Sequence, residues 1–284
     1  MSTPLDREEY IEQAYFFRTF RERLEEKVPT QVVLEQIHQE ILTTTRLPLA
    51  IKFLSTELKH SGHLSSGFAR LPHYFAPFQT YVVQQTEAEH SRFSIDVALL
   101  ILEREAQYRA GTPTPPGLFV YQFETLSRNR LGYEEGLRNM RTDPLYDADW
   151  QAYIELVRKQ VGLVDFADLV YLRSEFYVIE QRRLDPDYAP PVVALFGEKE
   201  GKIAKASRKR EPLYLFAALQ RQLNYPEVPR PKRRDDAESR LLELRAKVKE
   251  LEQRLKLVEG ELRGNIDLSE FMNRPEGLRP PGDD

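Results

Sequence analysis

The amino-acid sequence predicts a mainly all-α protein: a multi-helix bundle body, a small basic module with a β-hairpin, and a C-terminal coiled-coil helix. Three observations carry this. Apolar residues recur three and four positions apart through the first 185 residues, without strong period-2 alternation. Pro- and Gly-containing breaks punctuate that pattern at helical lengths. Near the C-terminus an apolar line follows an unbroken heptad.

The first helix is expected from Asp6 to Lys27. Asp6 can cap it, Glu8 and Glu9 suit its positive end, and Tyr10, Ala14 and Phe17 open an apolar stripe. Pro29 ends it. Thr30 is a candidate cap for "QVVLEQIHQEIL", with Val33, Ile37 and Ile41 inward. A third helix starts near Pro48 and runs to about His60, with Leu47, Ile51, Leu54 and Leu58 inward. Ser61 to Phe75 reads as a loop, and one long helix is expected from about Ala76 to Ala110. After the stop "GTPTPPG", helical patterns resume in "LFVYQFETLSRNRLGYEEGLRNM". They return from Asp147 to about Leu184, with a break allowed at Gly162 and Asp165. This makes residues 1–189 a helical body.

Residues 190–224 read as the basic module. "VVALFGEKEGKIAKA" (192–206) suggests short strands around Gly197 to Gly201, and Glu211-Pro212 opens a helix to about Leu223. Residues 225–236, "YPEVPRPKRRDD", read as a Pro-rich basic linker. Residues 237–263 carry the heptad: Leu241, Leu244, Val248, Leu251, Leu255, Val258 and Leu262, spaced 3, 4, 3, 4, 3, 4. The positions between are almost all charged, so the apolar face is narrow. That favours pairing with a second copy over packing back on the body. Lys247 with Glu252, and Arg254 with Glu259, would attract across a parallel dimer, while Arg240 with Arg245 would repel. The composition of 264–284 predicts a disordered tail, apart from the short apolar–acidic "IDLSEFM".

Composition bounds the chemistry. The 284 residues are 41% hydrophobic and 30% charged, a core plus a solvated extension. Cysteine is absent, which excludes disulfides, thiol nucleophiles and zinc–thiolate sites. The N-terminus has no apolar signal region, and "VALLIL" is far short of a bilayer span. A cytoplasmic chain without membrane insertion is expected. Charge is uneven: residues 1–197 hold 21 Lys/Arg and 28 Asp/Glu, whereas 198–234 hold 11 and 4.

Three of the five histidines follow a glutamate at i−3: Glu35/His38, Glu57/His60 and Glu87/His90. On a helix such pairs share a face, and Glu-x-x-His is the half-site of ferritin-like di-metal carboxylate bundles. Glu35, His38, Glu57, Glu87 and His90 are therefore candidate iron or manganese ligands. Register tests the set. Glu35 and Glu57 are both about eleven residues from the turn at Thr45/Arg46, so they lie level. Glu12, the fourth carboxylate by chain order, misses Glu35 by about ten residues, or ~15 Å along a helix. The alternative to a metal site is polar pairing on helix flanks, with His90 facing inward beside Phe93 and Val97.

Lys205, Arg208, Lys209, Arg210, Lys232, Arg233 and Arg234 form the basic patch. It could contact nucleic-acid phosphates, or it could dock on the acidic body. Few aromatics interleave with it, which weakens single-strand stacking. No Gly-rich phosphate loop, H-E-x-x-H or nucleophile elbow is present. The expected role is a non-enzymatic interaction or scaffold protein, homodimeric through its coiled coil. The alternatives are a di-metal enzyme and a nucleic-acid-binding protein.

Overall fold

The computed structural model describes residues 4–89 and 93–230, with 244, 245, 247–249, 251, 252 and 255 of the C-terminal helix. Met1–Pro231 form one compact unit and Lys232–Asp284 a second. The first unit contains α1 (Arg7–Glu25), α2 (Thr30–Glu40), α3 (Leu47–Ser61), α4 (Leu64–Ala69), α5 (Pro77–Glu87), α6 (Ile95–Ala110) and α7 (Pro115–Asn129). These are followed by α8 (Tyr133–Arg141), α9 (Ala148–Gln160), α10 (Phe166–Leu172), α11 (Glu175–Leu184), α12 (Glu198–Ser207) and α13 (Pro212–Leu223). The all-α class is borne out, with two isolated bridges as the β-type pairing among the described residues.

Two aromatic centres organise the core. In the first half, α1 packs along α6 and brings Phe17 to Phe68 and Phe75, whose rings stack at 4.1 Å. In the second, Phe123 of α7 stacks on Phe166 of α10 at 4.0 Å and 5°. Phe119, Trp150, Phe196 and Phe216 complete that centre from α7, α9, the stretch before α12, and α13. Flat rings at these separations add directional preference to burial worth ~1.5–3 kcal/mol per large side chain.

Several expected boundaries are corrected. The long helix from Ala76 to Ala110 is two helices: α5 ends at Glu87, and the Ser94 hydroxyl caps α6 by accepting from Val97 N at 3.4 Å. The Ser61–Phe75 loop contains α4, because Leu64 and Phe68 reach the core. Asp6 and Thr30 make no side-chain cap; Thr30 is already the first residue of α2. The break at Gly162 and Asp165 is present: Gly162 has φ 87°, and Asp165 caps α10 by accepting from Ala167 N at 3.1 Å.

The hairpin over 192–206 is overturned. Glu198–Ser207 is a helix, with Glu198 and Glu200 in its first turn and Lys205 in its last, suiting the macrodipole. The β-branched stretch before it pairs elsewhere. Leu195 N donates to Arg173 O at 2.8 Å, and Glu175 N to Phe196 O at 2.9 Å. Gly201 is a contact point: a Cβ there would lie 2.6 Å from Ser174 Cβ and 2.7 Å from Phe176 Cβ. The start of the expected linker is also packed. Tyr225 and Val228 are buried, and Tyr225 OH donates to Glu124 Oε2 at 2.7 Å.

Candidate functional site

The Glu-x-x-His residues can be traced one by one. Glu35 sits exposed on α2, where it accepts from Gln31 Nε2 and Lys59 Nζ, both at 3.0 Å. Those donors, Gln31 first, hold its carboxyl below the usual range. His38 Nδ1 lies 2.9 Å from Pro48 O. Glu57 pairs with Arg70. Glu87 turns to the N-terminus of α4, accepting from Leu64 N at 2.6 Å and Ser65 N at 3.1 Å. His90 lies outside the described residues. Glu12 accepts from Leu42 N at 3.2 Å, just beyond the end of α2. Among the described residues no group of three or more His, Asp or Glu is placed to hold a metal ion.

The basic patch is partly spent within the chain. Lys205 Nζ lies 2.5 Å from Glu180 Oε1, with the Tyr171 and Phe176 rings beneath it. The Arg208 guanidinium stacks 4.0 Å over Tyr171, and its Nε lies 2.5 Å from Asp168 Oδ1. Lys209 uses its backbone N–H, donating to Asp165 Oδ2 at 3.0 Å. Arg210 is exposed. Tyr171, buried and hydrogen-bonded to Glu180, has its hydroxyl pushed up to about 12. Lys232, Arg233 and Arg234 lie outside the described residues.

Of the heptad line, Leu244, Val248, Leu251 and Leu255 are described. All four are helical and between 51% and 62% exposed. Leu241, Val258 and Leu262 lie outside the described residues.

Two arrangements were not legible in the sequence. The first is a charge cluster sealed in the core. Arg109 of α6 meets Glu105 one turn back and Asp143 after α8, with Tyr10 of α1 under its guanidinium at 5.9 Å. Its partners are fully buried, so it is inaccessible to a ligand.

The second is an apolar groove with a cavity of about 300 Å³, bordered by α9, α10, α11 and the irregular stretch 188–194. Leu156, Leu172, Val178, Val192 and Val193 form its walls. Arg173 is the one charged residue among the described residues lining it. Its guanidinium lies 5.5 Å over the Tyr153 ring, and its buried Nε has no hydrogen-bond partner among the described residues. Desolvation pushes the guanidinium below the usual arginine value, which still leaves it charged. The motif "YAPPVV" held the only sequence signal: two adjacent valines after two prolines, too many apolar groups for a solvated connector.

No described helix is long and apolar enough to cross a membrane. Compared with protein-family models, curated proteins and solved structures, the chain shows no match in any of the three.

Proposed function

We propose that the chain is a non-enzymatic interaction protein that pairs with a second copy through its C-terminal heptad. One observation carries this reading: Leu244, Val248, Leu251 and Leu255 stand on a helix with half or more of each side chain open to water. An apolar line at 3, 4 spacing, flanked by charge, gains most by burying itself against an identical line. Each leucine that becomes fully buried contributes ~1.5–3 kcal/mol before ordering costs. Pairing would hold two helical bodies together and raise their avidity for a shared partner.

The di-metal reading, with iron or manganese, has less support, because Glu35, Glu57 and Glu87 already have donors of their own. The nucleic-acid reading has less support too, because Lys205 and Arg208 face carboxylates and aromatic rings.

Light scattering on the full chain and on a chain ending at Pro231 tests the proposal. The cut keeps Tyr225 and Val228 in the core. The full chain should give twice its monomer mass and the shortened chain its monomer mass. Leu244→Lys with Leu251→Lys should return the full chain to monomer. Two monomer masses would overturn the reading.

A further inference from the structure

We propose that the groove beside α11 binds a small apolar carboxylate, with Arg173 meeting the head group and the leucine and valine walls holding the chain. The occupant follows from size, wall chemistry and charge.

A cavity of about 300 Å³ is at the small end of ligand pockets, which span roughly 300–1,000 Å³. It suits a molecule of modest length better than a partner helix. Val192 is 50% exposed and Val193 58%. Adjacent apolar residues left open around a concavity mark a contact surface rather than ordinary surface scatter.

Charge then selects the ligand. Arg173 has no ion pair among the described residues, and its buried Nε has no hydrogen-bond partner among them. The described residues lining the groove include no Asp or Glu. An unpaired, partly desolvated guanidinium gains from an anion brought to it, and its planar fork matches a carboxylate in bidentate fashion. The site is also preorganised. Arg173 O accepts from Leu195 N at 2.8 Å and Phe196 N at 3.1 Å, which ties the irregular wall to the arginine's own backbone. Pro190 and Pro191 stiffen the wall further, so little ordering is needed on binding.

Calorimetric titration of the full chain with octanoate, decanoate and decanol tests this. Decanoate should bind, and each added methylene should raise affinity roughly fourfold until the groove is full. Decanol should bind at least tenfold more weakly, and Arg173→Gln should bring decanoate to the level of decanol. Val193→Asp, at an exposed wall position, should weaken both at least tenfold. Equal affinity for decanoate and decanol would overturn the proposal. So would no decanoate binding below millimolar concentration, or an Arg173→Gln chain that binds decanoate normally. If Arg173→Gln loses the wild-type circular dichroism, the alcohol comparison and Val193→Asp decide. An acetylated leucine-rich hexapeptide that binds more tightly than decanoate would assign the groove to a protein segment and overturn the small-molecule reading.

Discussion

Asp143 receives both terminal nitrogens of Arg109 inside the core, with Arg109 Nη1 3.2 Å from Asp143 Oδ1. Arg109 Nε also donates to Glu105 Oε1 at 2.9 Å. One cation therefore answers two buried carboxylates and joins α6 to the stretch after α8. Breaking a buried pair from one side is costly, because the remaining charge has no solvent. Arg109→Met should lower unfolding stability by about 3–5 kcal/mol, read by urea denaturation. A loss below about 1 kcal/mol would show that water reaches the cluster.

The same cluster sets a pH dependence. Burial pushes the Glu105 carboxyl above its ordinary 4.5, against the pull of Arg109. The folded state then binds that proton more tightly than the unfolded state. The stability this contributes is complete below about 4.5 and is lost as pH rises through the higher folded value. Glu155 works in the opposite sense: Arg158 holds it down to about 2, so its contribution is present above 4.5 and lost as pH falls towards 2. Comparing Glu105→Gln with wild type cancels such background. The stability of the variant relative to wild type should grow between pH 4.5 and 8 in urea unfolding, whereas a constant difference would contradict the assignment.

Glu87 is a helix cap in this fold. Its two oxygens accept from Leu64 N and Ser65 N at the positive end of α4. Glu87→Ala should cost about 1–2 kcal/mol in thermal or urea unfolding, the usual worth of a strong cap. Elemental analysis of the same two proteins, purified without added metal, should show under about a tenth of an equivalent of iron, manganese or zinc in each. Stoichiometric metal that disappears in the variant would restore the di-metal reading.

Arg208 separates internal docking from phosphate binding. Its stack on Tyr171 and its approach to Asp168 should make Arg208→Gln cost about 1 kcal/mol of stability. Retention on a heparin or DNA column should change little. A steep loss of salt-resistant retention would return the strip to nucleic-acid binding.

How far the sequence was legible depends on which interaction decided each feature. Helix type was legible because periodicity reports one helix's own face, as at Val33, Ile37 and Leu54, all buried. The break at Gly162 was legible because a positive φ is a local requirement met by glycine. The split between α5 and α6 was harder to read. Glu87 is the last residue of α5, and its side chain caps α4, a helix that ends 18 residues earlier at Ala69. The stretch 192–196 carries strand composition, and its partner is the backbone of Arg173 and Glu175 rather than the next hairpin arm.

The sequence by itself determined the all-α class, the order of most helices and the heptad line. These follow from short-range periodicity. Only the tertiary structure decided that Glu35, Glu57 and Glu87 are spent on Lys59, Arg70 and a helix end, and that Lys205 and Arg208 rest on Tyr171. It also decided that Arg109 is paired while Arg173 stands open beside an apolar groove. The physical reason is common to all of these. A charged side chain is defined by which opposite charge or dipole comes within a few ångströms, and that partner is chosen by packing between elements distant in the chain.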